Sequence, residues 1–171
     1  AAPLMAGIDG SPLVYESGTG DPNLGSVNDV AGVAVYQIQA YNYDGSVAKG
    51  AALYEDMLIT LKLSFPATGA ASLDDFDFDK LIAMNPGVVT GYDKNTGEIF
   101  IKVPAGDADG KVELKLPLDD DAMGGKGTSS DGPVENYTLE VTDISGDTPG
   151  HYVDPTDQHY ADKGIDTGRD T

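Results

Sequence analysis

Five segments of this chain place apolar side chains at alternate positions, the period of a strand with one face buried. In Met57 to Phe65, the side chains of Met57, Ile59, Leu61, Leu63 and Phe65 share one face, with Thr60, Lys62 and Ser64 opposite. Val33 to Tyr41 sets Ala34, Tyr36, Ile38 and Ala40 against Gln37 and Gln39. Glu98 to Val103 turns Ile99, Ile101 and Val103 inward. Lys111 to Leu118 does so with Val112, Leu114, Leu116 and Leu118, and Val134 to Ile144 with Tyr137, Leu139 and Val141. Strong helical patterns are scarce, and the 22 glycines supply many turns. These features predict an all-β domain, a β-sandwich of seven or eight strands with long inserted loops.

Leu13-Val14-Tyr15-Glu16 adds a short strand, and residues 1–12 read as a lead-in strand or linker. Turns are expected at Ser17-Gly18-Thr19-Gly20, Asn42-Tyr43-Asp44-Gly45, Asn85-Pro86-Gly87, Gly91 to Gly97 and Pro104-Ala105-Gly106. Residues 46–56 read either as a loop or as one short helix. From Leu73 to Ala83, acid alternates with aromatic in Asp74-Asp75-Phe76-Asp77-Phe78-Asp79, which predicts a strand with one wholly anionic face. With 171 residues, the chain is long enough for one sizeable core. We expect the sandwich over residues 1–150, and a C-terminal extension or linker over 151–171, rich in Pro, Gly and Asp. The opening Ala1-Ala2-Pro3, without an initiator Met, is what a segment of a longer protein would show.

The formal net charge is −19, from 29 acidic and 10 basic residues. Such a surface repels nucleic acid and anionic membranes, so neither is an expected partner. No stretch approaches the length of a membrane span. With no cysteine, disulfides are not available as a staple. The strand Lys111 to Leu118 runs straight into Asp119-Asp120-Asp121. Three consecutive carboxylates repel one another unless a cation sits among them, and Ca²⁺, which takes oxygen ligands, is the expected one.

Residues Thr96 to Gly146 contain GEIFIKVPAGDADGKVELKLPLDDD, a loop, and GPVENYTLEVTDISG. This pattern resembles the second half of a Calx-beta domain: a strand, a Pro-Ala-Gly turn, a strand into an acidic cluster, then Glu and a Tyr-Thr-Leu strand. Tyr15-Glu16-Ser17-Gly18 is similar to that family's first strand and acidic turn. The resemblance implies a calcium-binding sandwich of Calx-beta or immunoglobulin-like type, with Glu16, Asp119, Asp120 and Asp121 around the metal and Glu135 as a further ligand. Asp75 and Asp77 would join them if their strand end abuts the same edge. Two insertions, at residues 41–56 and 122–132, depart from the family. With the acidity, they resemble ligand-binding modules of bacterial RTX adhesins, extracellular surface proteins of cell adhesion and biofilm. That likeness implies a monomeric module within a larger chain, binding a peptide or a protein's free C-terminus on another cell surface with help from calcium. The alternatives are a calcium-dependent glycan-binding domain and a structural extender.

For the ligand site, Tyr41, Tyr43, Tyr54 and Tyr92 lie in or beside loops, where tyrosine offers a large contact area with a polar end. The second insertion supplies Lys126, Thr128, Ser129, Ser130 and Asp131. Of these, Tyr43, Tyr54, Lys126, Ser129, Ser130 and Asp131 form the expected contact set. Catalysis is not expected. There is no cysteine nucleophile, no Gly-x-Ser-x-Gly elbow and no phosphate-cradling loop, and acids are too numerous for a glycosidase pair to stand out. Asp93 to Gly97 hints at an EF-hand, but the glycine is fifth rather than sixth and Pro104 occupies the twelfth position, so a hairpin turn is expected. His151 and His159 read as surface histidines rather than ligands of a transition metal.

Overall fold

The computed structural model describes residues 2–10, 13–14, 32–68, 72–118, 135–155 and 165–170, with 13–14, 135–136 and 165–170 as strand backbone only. Nine strands occur among them: β1 (Met5–Asp9), β2 (Leu13–Val14), β3 (Val33–Tyr41), β4 (Met57–Ser64), β5 (Val89–Asp93), β6 (Glu98–Val103), β7 (Lys111–Pro117), β8 (Glu135–Ser145) and β9 (Ile165–Asp170). One sheet has the order β1-β3-β7, the other β2-β9-β8-β4-β6-β5. The pairings between these strands are antiparallel except β2 with β9. The apolar faces of the two sheets share one core, so the chain is an all-β sandwich.

The alternation places the core as expected. Ala34, Tyr36, Ile38 and Ala40 are buried on β3, and Met57, Ile59, Leu61 and Leu63 on β4. Val112, Leu114, Leu116 and Leu118 close the β7 side. Each large apolar side chain so buried contributes roughly 2 kcal/mol of transfer free energy. Two tyrosines sit in this core with their polar ends met. The hydroxyls of Tyr36 on β3 and Tyr137 on β8 lie 2.7 Å apart and join the two sheets by a hydrogen bond, while Phe76 packs edge-on to Tyr137. Tyr36→Phe removes that bridge and is expected to cost about 1 kcal/mol, read from the shift of a urea unfolding midpoint.

A bulge extends β8 beyond its expected pattern. Thr60 pairs with Asp143 but Leu61 with Val141, so Thr142 is the extra residue. The bulge reverses the alternation, and Ile144 thereby reaches the core along with Tyr137, Leu139 and Val141.

Leu73 to Ala83 is not the expected strand. It forms 3-10 turns at Leu73–Asp75 and Phe78–Lys80 and a short helix α1 (Leu81–Met84). Ser72 and Asp75 form a reciprocal capping box that starts the first turn, with the Ser72 N–H donating to Asp75 Oδ2 at 2.7 Å. Phe76 and Phe78 are buried, Asp75 is buried too, and Asp74 and Asp79 are exposed, so no single anionic face forms.

Part of the expected turn at Gly91 to Gly97 is strand β5; the reversal itself occupies residues 94–97, with Gly97 at φ +81°. It joins β5 to β6 as a hairpin. Residues 46–56 contain one bridge, Val47 to Tyr41, and one 3-10 turn, Gly50–Ala52. After β8 the chain returns to the N-terminal strand region. Tyr152 bridges Leu4, the Leu4 N–H donates to the His151 carbonyl at 2.8 Å, and the Val153 N–H donates to the Leu4 carbonyl at 2.9 Å. Among the described residues, no helix is long and apolar enough to cross a membrane.

Candidate functional site

Strand direction sorts the candidate residues to the two ends of the sandwich. Val33, at the start of β3, is opposite Pro117, while Tyr41, at its end, is opposite Met5. In the second sheet Ser64 is opposite Thr138, Glu135 is opposite Asp170, and Asp170 is beside Val14. The Tyr36–Tyr137 bridge ties the start of β3 to the start of β8, so these termini lie at the same end. The nine residues of β3 separate the two ends by about 26 Å.

The end marked by Val33, Ser64, Leu118 and Glu135 is the acidic one. Phe76 forms an antiparallel bridge with Leu118, and the Asp77 N–H donates to the Pro117 carbonyl at 3.0 Å. The chain therefore carries Asp75 and Asp77 to the edge from which residue 118 leads toward Asp119. Asp75 Oδ2 is engaged by Ser72, and Asp77 forms an ion pair with Lys80 at 3.4 Å. A polar cleft of about 370 Å³ opens beside them, lined by Asp74, Asp77, Asp79, Lys94 and Asn95 with Leu73, Phe76 and Phe78. The Tyr92 hydroxyl donates to Asp79, one of the cleft's lining residues, at 3.1 Å, a bond that raises the Tyr92 pKa above its ordinary value.

Among the described residues, no three acidic or histidine side chains converge on a point where a metal ion could sit. Asp75 and Asp77 alone do not make a calcium shell, which needs six to eight oxygens. The expected ligands Glu16, Asp119, Asp120 and Asp121 lie outside the described residues, and Glu135 is described only as the first residue of β8. The strand ends that lead to them, Val14, Leu118 and Glu135, meet at this one end. The expected contact residues Lys126, Ser129, Ser130 and Asp131 also fall outside the described residues.

The opposite end holds the two other expected contact residues, and they share one groove. Tyr43 and Tyr54 are 42% and 56% exposed and line an apolar groove of about 290 Å³ with Ala2, Leu4, Asn42, Ala51, Ala52 and His151. The first insertion builds its wall. The Asn42 side chain donates to Ser46 Oγ at 3.1 Å and to the Val47 carbonyl at 3.2 Å, holding the turn that carries Tyr43. The Gly50 N–H donates to the Asp107 carbonyl at 2.7 Å, and the Gly106 N–H donates to the Leu53 carbonyl at 2.6 Å. These bonds pin residues 48–54 to the turn after β6. Tyr41, at the end of β3, is half-buried, with its hydroxyl pKa raised by burial and then by Asp9.

His151 is not the surface residue its setting in an irregular tail suggests. It is buried, its ring 4.5 Å from that of Tyr54 and 4.8 Å from that of Tyr152. Pairing of residues 151–153 with Leu4 draws it inward, and a polar tail gives no sequence signal for such pairing. His159 lies outside the described residues.

No protein-family model matches the chain, and no curated protein matches it. Among solved structures, it is similar to a chain of a type I cohesin–dockerin complex from Clostridium thermocellum, with a TM-score of 0.43 and 7% identity over 99% of this chain and 94% of that one. At that level the likeness carries no weight for fold or ligand, and the sandwich rests on its own strand pairing.

Proposed function

We propose that the chain is an extracellular recognition module of a bacterial surface adhesin of the RTX type, binding a peptide of a partner protein and held rigid by Ca²⁺ at its acidic end. The observation that carries this reading is the tyrosine groove. The first insertion is not needed to complete either sheet, yet it sets two half-exposed tyrosine rings around an apolar cleft, a composition suited to peptide recognition. Loops mounted at the end of a rigid sandwich are where such modules carry binding.

A peptide array probed with the whole chain tests this, each sequence offered with a free or an amidated C-terminus, in calcium and in EDTA. Binding is expected in calcium, with Tyr54→Ala reducing it at least tenfold. Preference for free over amidated ends identifies terminal-carboxylate capture. Competition by monosaccharides, with no peptide bound, would turn the reading to a glycan-binding domain.

The calcium reading has its own test. A ligand present at ten to one hundred times its Kd stabilises by roughly 1.4 to 2.7 kcal/mol, which for a domain of this size is about 3 to 10 °C in Tm. Millimolar Ca²⁺ is expected to raise the melting temperature by that amount over EDTA, and Asp120→Ala to reduce the gain. Superimposable melts with and without metal would remove calcium from the account.

A further inference from the structure

His151 is only 8% exposed and lines the tyrosine groove, yet its Nε2 has no hydrogen-bond partner. Buried polar atoms are nearly always paired, with protein or with water, so an orphan on a residue of the groove wall marks a place where water or an entering donor completes the bond. A second orphan lies nearby in the fold. Glu55 follows Tyr54; its Oε2 accepts from the Thr148 N–H at 3.1 Å, and its Oε1 is buried without a partner. The Thr148 hydrogen bond holds the Glu55 carboxyl below its ordinary pKa, and burial, then the Glu55 charge, pushes the Tyr152 hydroxyl up. The field at this end is set by formal charge and is negative. Asp44, Glu55 and Asp147 stand on the segments that frame the groove, against Lys49, within a chain of net charge −19.

We propose that the groove receives a cationic side chain of the partner peptide, arginine above all, with its aliphatic stem against Leu4, Ala51 and Ala52 and its planar head on the tyrosine rings; a small displacement of the exposed Tyr54 ring, which packs on His151, lets one N–H reach His151 Nε2 in its neutral, accepting form. This rests on the chain being a peptide-recognition module and names the chemistry it selects. Guanidinium stacks on aromatic faces and carries several donors on one plane. A carboxylate or phosphate would meet the negative field, and a plain hydrocarbon would leave Nε2 unpaired. The volume of about 290 Å³ suits one long side chain, at the small end of ligand pockets.

An NMR titration of the whole chain separates these cases, using acetyl-Gly-Gly-Arg-Gly-Gly-amide and matched peptides with citrulline or norleucine in place of arginine, each taken to tens of millimolar. The arginine peptide is expected to move the resonances of Tyr43, Tyr54 and His151, and the neutral peptides to bind about tenfold more weakly. His151→Phe, which keeps a ring between Tyr54 and Tyr152 but removes Nε2, is expected to weaken the arginine peptide severalfold and leave norleucine unchanged. Tyr54→Leu, at an exposed position, is expected to weaken arginine binding without disturbing the strand resonances. Equal affinity for arginine and norleucine overturns the proposal, as do groove resonances that stay still throughout. If array peptides bind while the groove ignores arginine, the cationic site fails and peptide recognition stands. If no peptide binds anywhere, both fail.

Discussion

Asn85→Ala is expected to lower the unfolding free energy by about 3 kcal/mol, the larger part of it from one edge of β7. The Asn85 side chain is buried and makes three hydrogen bonds: Nδ2 donates to the Leu81 carbonyl at 2.9 Å and to the Lys115 carbonyl at 2.8 Å, and Oδ1 accepts the Lys115 N–H at 2.7 Å. Among the described strands β7 is the last in its sheet, so Lys115 would otherwise present an open edge. The Asn85 amide pairs with it as a neighbouring strand would, and Asp77 and Phe76 continue the cover at Pro117 and Leu118. Truncation leaves both backbone groups of Lys115 without this partner, at roughly 1 to 3 kcal/mol for each buried group. The Leu81 carbonyl keeps the Asn85 N–H and loses less. With a urea slope of about 2 kcal/mol/M, the midpoint is expected to fall by about 1.5 M. A shift under about 0.3 M would show that the edge is hydrated without cost. Because Asn85 fastens the segment carrying Asp75 and Asp77 to the strand that leads to Asp119, the same variant is expected to weaken any calcium response.

That anchor was hidden in the sequence. Asn85-Pro86-Gly87 reads as a turn, which it is, and nothing in the triplet shows that the asparagine side chain serves a strand thirty residues on. The long strands were legible because each buries one face only, and a two-residue period survives in β3, β4, β6 and β7. Strand β5 carries no alternation to read, because only Val89 of its five residues is buried. The bulge in β8 misplaced Ile144, since a period cannot foretell where it will slip. The acid–aromatic run from Asp74 misled by its own regularity. Ser72 followed three residues later by Asp75 is a capping-box signature, which favours a helical turn over a strand. At the candidate sites, Tyr43 and Tyr54 were legible as loop aromatics. That they share one groove, some 26 Å from the acidic strand ends, depends on strand direction and pairing, which composition does not encode.

Gly110→Ala is expected to damage the tyrosine end as Asn85→Ala damages the acidic one. Gly110 has φ +65°, a conformation unfavourable for residues with a Cβ, and an added Cβ would overlap the Ala48 carbonyl. That carbonyl belongs to backbone, not to the end of a flexible side chain, so the insertion itself must shift. Nor is the turn free to yield. The Gly110 carbonyl accepts the Ala40 N–H at 2.7 Å and Gln39 Nε2 at 2.9 Å, while the Gly110 N–H donates to Asp107 Oδ1 at 2.8 Å. The left-handed backbone alone costs an alanine about 1 to 2 kcal/mol, and the overlap is expected to bring the total to about 3 kcal/mol or more. For a domain of this size that is a fall of about 6 to 12 °C in Tm. Gly106→Ala is the internal control: φ is +74° there as well, but an added Cβ meets nothing, so only the backbone cost remains. The difference between the two variants measures how tightly residues 48–54 are clamped to the sandwich. If the clamp holds the groove, Gly110→Ala moves the ring resonances of Tyr43 and Tyr54 and Gly106→Ala does not; equal melting temperatures for the two would mean that the insertion gives way freely, and that the groove is not a preorganised site.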